Sequence, residues 1–193
     1  MLFSITAPSG GGKEFLKKAL LKRFPQLSEL CWTTTRSLRH GEIQGVTRES
    51  VTPDEFAAIK YERELVQELP GGSYGIRRKF LELGSGNFLT EFHIENLMRF
   101  SATGPHPIAI ALVPRDVSFL SERLERRKTE SPAEIAARLK AAPMEIELIC
   151  QNRSLFSLIV EFTKEDEDTV VGRVCEFVGQ ILERQPTAAT SSI

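Results

Sequence analysis

The stretch that most restricts the fold is the N-terminal one, from Met1 to Leu20. Leu2, Phe3, Ser4, Ile5 and Thr6 form a short run in which Phe3 and Ile5 favour an extended chain and nothing interrupts it. Pro8, Ser9, Gly10, Gly11 and Gly12 then demand a turn, and Lys13 opens a helix whose apolar face carries Leu16, Ala19 and Leu20. Strand, glycine-rich turn, lysine and helix together make a P-loop, in which backbone N–H groups at a helix N-terminus cradle phosphate. The pattern Gly-x-x-x-x-Gly-Lys-[Ser/Thr] is met here by Ala7, Pro8, Ser9, Gly10, Gly11, Gly12, Lys13 and Glu14. Ala7 is a mild departure. Glu14 is a larger one, because it replaces the hydroxyl that normally reaches Mg²⁺.

A chain of 193 residues suits one domain with a small insertion and is long enough for a proper core. A net charge of −1 argues against nucleic acid as a partner, while local basic clusters remain able to hold a small anion. Cys31, Cys150 and Cys175 are scattered without metal-ligand spacing and read as small buried hydrophobes in a reducing compartment. No signal peptide is evident, and no stretch approaches the roughly 18 apolar residues of a membrane span. The expectation is a cytoplasmic protein that does not engage a membrane.

Further along, Pro25 ends the first helix, and strands are expected over 30–35, 87–92, 107–113 and 155–162. The 107–113 run is apolar on both faces, as a parallel sheet requires. Residues 46–52 make a poor strand because of Arg48, Glu49 and Ser50. Thr52, Pro53 and Glu55 form a capping box at a helix start. Residues 69–75 hold three glycines and a proline, which reads as a loop, with a short helix over 77–83 after it. Helices are expected up to Phe100, over 116–126, from Ser131 towards Cys150 with a kink or break at Pro143, and over 166–182. The tail from Gln185 has no core-forming residues and is expected to be disordered. Alternating strands and helices indicate an α/β fold with a mainly parallel sheet and ligands at the strand carboxyl ends.

A second signature follows the loop: Thr34-Thr35-Arg36-Ser37-Leu38-Arg39-His40-Gly41-Glu42-Ile43-Gln44-Gly45. It resembles the guanylate kinase pattern Thr-Thr-Arg-x-Pro-Arg-x-Gly-Glu-x-x-Gly. Matches continue in register through Val51-Thr52, Glu55-Phe56, Gly71, Tyr74-Gly75, residues 123–131 and Arg138-Leu139. The resemblance spans residues 2 to 183, and it implies a P-loop NTPase fold with a parallel sheet flanked by helices. It also implies a domain over 1–184 that contains a nucleoside-monophosphate-binding subdomain (34–90) and a lid (123–140), with a tail over 185–193. The family transfers the terminal phosphoryl group of ATP to GMP, with Mg²⁺. By position, Lys13 matches the lysine on the donor phosphates. Arg36, Arg39 and Tyr74 match residues on the acceptor phosphate, Glu42 an acidic residue of the acceptor site, and Arg127 and Arg138 lid arginines that close on the transferring group. Such a set suits phosphoryl transfer, which is mostly positioning and charge neutralisation.

Departures from the family fall on both sides of the cleft. On the metal side stand Glu14 and Phe15 where Ser or Thr is usual. A carboxylate about 5 Å from a phosphate charge costs on the order of 3 kcal/mol at an effective dielectric near 20. Glu14 is therefore either a substitute Mg²⁺ ligand or a solvent-facing residue, and Glu91, matching the family's acidic pair, is a second metal candidate. On the acceptor side Arg48 replaces a phosphate-contacting Tyr and keeps an anion-binding group. The guanine readers change: Ile76 stands for a Thr or Ser, His93 for an aspartate, and Gln67 or Glu68 aligns with an acidic residue. His93 is either a substituted base contact or a packed histidine; Trp32 reads as core rather than a stacking platform. Each lost base-edge partner costs about 1–3 kcal/mol. The resemblance implies an ATP-dependent nucleoside-monophosphate kinase acting on GMP with low activity or relaxed base preference. Its alternative is an inactive guanylate-kinase-like domain that grips a phosphorylated peptide or protein partner with the same arginines.

Overall fold

The computed structural model describes residues 1–39, 41–59, 63–69, 72–77, 86–103, 106–126, 131–164 and 166–184. Two sheets organise them. The first has five strands in the order β2-β7-β1-β8-β9, all parallel. They are β1 (Leu2–Thr6), β2 (Leu27–Glu29), β7 (Asn87–Glu91), β8 (Ile108–Pro114) and β9 (Leu158–Phe162). The second sheet runs β4-β3-β6-β5, from β3 (Trp32–Thr34), β4 (Arg48–Ser50), β5 (Arg63–Leu69) and β6 (Gly72–Arg77). In it β3 pairs parallel with β4 and antiparallel with β6, and β5 with β6 form an antiparallel pair.

Helices fill the connections: α1 (Lys13–Arg23), α2 (Pro53–Ala58), α3 (Ile94–Thr103), α4 (Ser118–Arg126), α5 (Pro132–Gln151) and α6 (Glu167–Glu183). Alternate residues of β8 go to opposite faces of the sheet. Ile110 and Leu112 join Phe3, Ile5, Leu16, Leu20, Val174 and Val178 in one core that includes α1 and α6. Ala109 joins Leu97 and Phe100 of α3, while Ala111 and Val113 join Ile149 of α5. Both faces of the sheet are thus covered, which is why β8 reads as a continuous apolar run.

Parallel pairing aligns the carboxyl ends that carry function. Ile5 lies beside Glu91 in β7, and Thr6 beside Ala111 in β8. The turn after β1 therefore faces the segment Phe92-His93 that follows β7, at the end of the sheet where ligands of such folds bind.

Several expectations need correction. Residues 72–75 are not loop: Gly72–Arg77 is a strand held on both sides, Tyr74 opposite Thr34 and Gln67. Glycine here serves close approach, since a Cβ on Gly72 would lie 2.8 Å from Thr35 Oγ1. Arg77 ends that strand instead of opening a helix, and residues 78–83 of the expected helix lie outside the described residues, as does the tail from Gln185. Helix α5 runs unbroken through Pro143, with Ala142 and Ile149 buried on either side of any would-be break. One missing N–H bond is outweighed there by the packing of both halves. Strands β2 and β5 were not expected; three residues of β2 and the polar β5 become strands only by pairing. The box at α2 forms as read: Thr52 accepts from the Glu55 backbone N–H, and Glu55 accepts from that of Thr52.

Candidate functional site

The turn after β1 gets its shape from its glycines. Gly11 N–H donates to Pro8 O at 2.9 Å, and a Cβ on Gly11 would stand 2.9 Å from that same oxygen. Gly12, at the N-cap of α1, has φ 90°, a left-handed conformation that glycine adopts without a Cβ penalty. The first N–H groups of α1 thereby open towards the turn, where an anion finds both donors and the favourable helix dipole. Lys13 folds back over the turn, donating to Ala7 O at 2.6 Å and Pro8 O at 3.2 Å. Two arginines reach in from other elements: Arg138 Nη1 of α5 donates to Ser9 Oγ at 3.1 Å, and Arg123 Nη1 of α4 to Gly10 O at 3.4 Å.

Across from the turn, the second sheet presents another cationic group. Arg36 donates to both carboxylate oxygens of Glu42, at 2.8 Å and 2.6 Å, and its Nε donates to Tyr74 OH at 3.1 Å. The Arg39 backbone N–H adds a bond to Glu42 at 2.7 Å. Burial pushes the Glu42 carboxyl up, but the Arg36 fork and the Arg39 N–H outweigh it and hold the group at about 2. Arg48 stands beside this pair: its Nε is buried without a hydrogen-bond acceptor among the described residues, the nearest Glu42 oxygen being 3.6 Å away. A buried guanidinium donor left in this state costs free energy that a bound anion recovers.

The two halves meet in a cavity of about 570 Å³. Of the residues expected to form a site, Ser9, Lys13, Arg48, Tyr74, Glu91, His93 and Arg138 all line it. Arg36 and Glu42 stand one contact behind, through Tyr74 and Arg48. Arg39 is exposed and contributes its backbone N–H to Glu42. Arg127 lies outside the described residues. Ile76 is fully buried in the core with Trp32 and Phe92 and presents no polar group. His93 Nε2 lies 3.2 Å from Glu145 Oε1 of α5, so it is neither isolated in the core nor free of a partner. Trp32 is core, as read: it is 7% exposed, donates from Nε1 to Thr90 Oγ1 at 2.8 Å and packs edge-on to Phe92, while its remaining surface lines the cavity.

The metal side is built in a way that sequence reasoning missed. Lys17, buried in the face of α1 between Leu16 and Leu20, places Nζ 2.8 Å from Glu14 Oε2, Glu29 Oε1 and Glu91 Oε1. Nζ donates to Glu29 Oε1 and forms ion pairs with Glu14 and Glu91. Burial would lower the Lys17 ammonium, and the carboxylates outweigh it and raise it above the ordinary lysine value. Burial likewise raises Glu14, and Lys17 outweighs it, so that carboxyl is lowered. Glu14 and Glu91, the two candidate Mg²⁺ ligands, thus both hold an ammonium. The ammonium itself, 2.8 Å from each of these oxygens, takes the position among them that a dication would need. The donor set does not fit a protein-held Mg²⁺; Glu14 is half exposed at the helix surface, as its solvent-facing reading expected, with its oxygens turned to Lys17 and Lys18. A lysine on the leucine face of α1, three residues after Glu14, was the available signal; Glu91 stands out in the sequence only as a metal candidate, and Glu29 not at all.

The family described as guanylate kinase matches residues 2–180 of the chain. The guanylate kinase of Synechocystis sp. is 30% identical over 184 residues, which cover 93% of each chain. That of Desulfitobacterium hafniense (strain Y51) is 30% identical over 156 residues, 78% of each chain. The crystal structure of guanylate kinase from Anaplasma phagocytophilum superposes with a TM-score of 0.68 at 22% identity, over 97% of this chain and 87% of that one, and shows a common fold. Among the described residues, no helix is long and apolar enough to cross a membrane.

Proposed function

The chain belongs to the guanylate kinase family, and from that we propose that it phosphorylates a nucleoside monophosphate with ATP, GMP first, with a relaxed base preference. The observation that carries this reading is the convergence of Lys13, Arg138 and Arg48 on one cavity, Arg48 with a buried donor unspent. In this reading residues 7–14 and the N-terminus of α1 bind the donor phosphates. Lys13 leaves the Ala7 and Pro8 carbonyls for phosphate oxygens, and Arg138 leaves Ser9 for the transferring group, joined by Arg127. The acceptor phosphate sits against Arg36, Arg39, Arg48 and Tyr74, with Glu42 fixing the Arg36 fork. Residues 34–90 act as the acceptor subdomain and 123–140 as the lid, which together bring two anions into line and exclude water. ATP would bring Mg²⁺ with it, since Glu14 and Glu91 do not fit as its ligands.

Base preference follows from what walls the far end of the cavity. Trp32 and Phe92 offer apolar surface there, Ile76 is sealed in the core, and His93 is tied to Glu145. With few fixed base-edge partners, discrimination between purines falls by a factor that each lost hydrogen bond sets at about 1–3 kcal/mol. A coupled assay with Mg-ATP against GMP, dGMP, AMP, UMP and CMP tests the reading. Turnover with GMP and a narrowed ratio of kcat/KM between acceptors is expected; no turnover with any acceptor at high enzyme concentration overturns it. The Arg36–Glu42–Tyr74 group would hold any phosphomonoester, which favours the second reading, a phosphopeptide-binding domain, if turnover is absent and a phosphopeptide raises the melting temperature.

A further inference from the structure

From the carboxylates gathered around the buried Lys17 of α1 we infer that its ammonium is a resident cation on the metal side of the phosphate loop, binding Glu14 and Glu91 so that the protein supplies no divalent-metal ligand there. The inference rests on reading the loop as a polyphosphate site, and it concerns which positive charge the protein itself contributes. Lys13 and Lys17 are one helical turn apart, so both project from the same face of α1. Lys13 caps the loop, and Lys17 lies beneath it, 4% exposed, with its nitrogen 2.8 Å from three carboxylates. Glu91 also lines the cavity beside Lys13, so the cluster borders the space where phosphate charge accumulates.

Charge accounting supports a closed cluster over a vacancy for a dication. Glu14 is shared with Lys18 at 3.5 Å, and Glu29 with Arg48 at 4.0 Å. Three carboxylates, Glu14, Glu29 and Glu91, are therefore met by three cations, Lys17, Lys18 and Arg48. The neighbouring Glu42 is matched by Arg36. No net negative charge is left over to attract a divalent ion. Glu14 also costs the loop less than its position suggests, because the Lys17 charge screens it from a bound phosphate. The substitution of a carboxylate after Lys13 and the burial of a lysine four residues later are then one device. Removing the ammonium would leave Glu14, Glu29 and Glu91 without the charge they share, and carboxylate oxygens are the donors Mg²⁺ and Mn²⁺ take.

The test measures Mn²⁺ uptake by the nucleotide-free full chain, from the paramagnetic resonance signal of the free ion. Wild type and Glu91→Gln are expected to bind equally weakly, with a ratio near one. Lys17→Met is expected to gain one site at least about tenfold tighter than wild type, and Lys17→Met/Glu91→Gln to lose it again. Circular dichroism establishes that the Lys17 variants fold. Should they not fold, wild type against Glu14→Gln and Glu91→Gln decides: equal weak uptake supports the inference. A wild-type site weakened tenfold by either substitution overturns it, and so does a folded Lys17→Met that gains no site. Because nucleotide is absent, these outcomes are independent of whether the protein turns over any acceptor.

Discussion

Glu42→Gln is the most discriminating single change on the acceptor side. It keeps the shape and one carbonyl oxygen but removes the charge that receives both Arg36 amino groups and the Arg39 backbone N–H. The side chains are 12% and 18% exposed, so the pair is neither a free surface ion pair nor a fully dehydrated one. The lowering of Glu42 from 4.5 to about 2 would be worth about 3 kcal/mol at full strength, and solvent screening at this exposure reduces it to about 2 kcal/mol. That agrees with the 1.5–3 kcal/mol typical of hydrogen bonds to charged groups. For a chain of this size it lowers Tm by about 4–8 °C. Because the folded carboxyl is held below its unfolded value, its contribution is complete above about pH 4.5 and is lost as pH falls towards 2. Melts of both proteins from neutral pH downwards should therefore show a constant gap above pH 5 that closes on further acidification. A gap under about 0.5 kcal/mol at neutral pH, the level of an ordinary surface substitution, would refute the reasoning. A gap of unchanged size down to the lowest pH at which both proteins fold would do the same.

Other consequences can be checked with the same protein. Lys13→Ala should lower kcat by at least about 10²-fold, the usual loss on removing one charge-stabilising donor, and weaken ATP binding; intact turnover would remove the P-loop reading. Arg39→Ala should mainly raise the acceptor KM, leaving kcat within a few-fold, as steady-state kinetics will show. Gly11→Ala should destabilise by about 1–3 kcal/mol in urea melts, since its Cβ would press on Pro8 O at 2.9 Å within a tight turn. Pro143→Ala should be stabilising, by up to about 3 kcal/mol, because the helix already runs through that position and regains a hydrogen bond.

What was legible in the chain was local. The turn of Gly10, Gly11 and Gly12 before Lys13, the capping box at Thr52, the helix start at Ser131 and the apolar run of β8 each carry their meaning within a dozen residues. The arginines around the acceptor side were legible as well, because Arg36, Arg39 and Glu42 lie on one turn and make their bonds to each other. What was not legible depends on partners distant in the sequence. Strand β2 and the glycine-rich β6 exist because β7 and β3 pair with them. Trp32 walls the cavity because β3 brings it against Phe92.

Lys17 is the clearest case. In the sequence it is one more lysine in a basic helix beside Glu14. Only the parallel pairing of β2 and β7 next to α1 brings Glu29 and Glu91 to its nitrogen. Local sequence therefore determined a glycine-rich turn ahead of α1 and an arginine-bearing turn after β3. The tertiary structure decided which charge sits on the metal side, because electrostatic energy depends on distances in space that the order of residues does not encode.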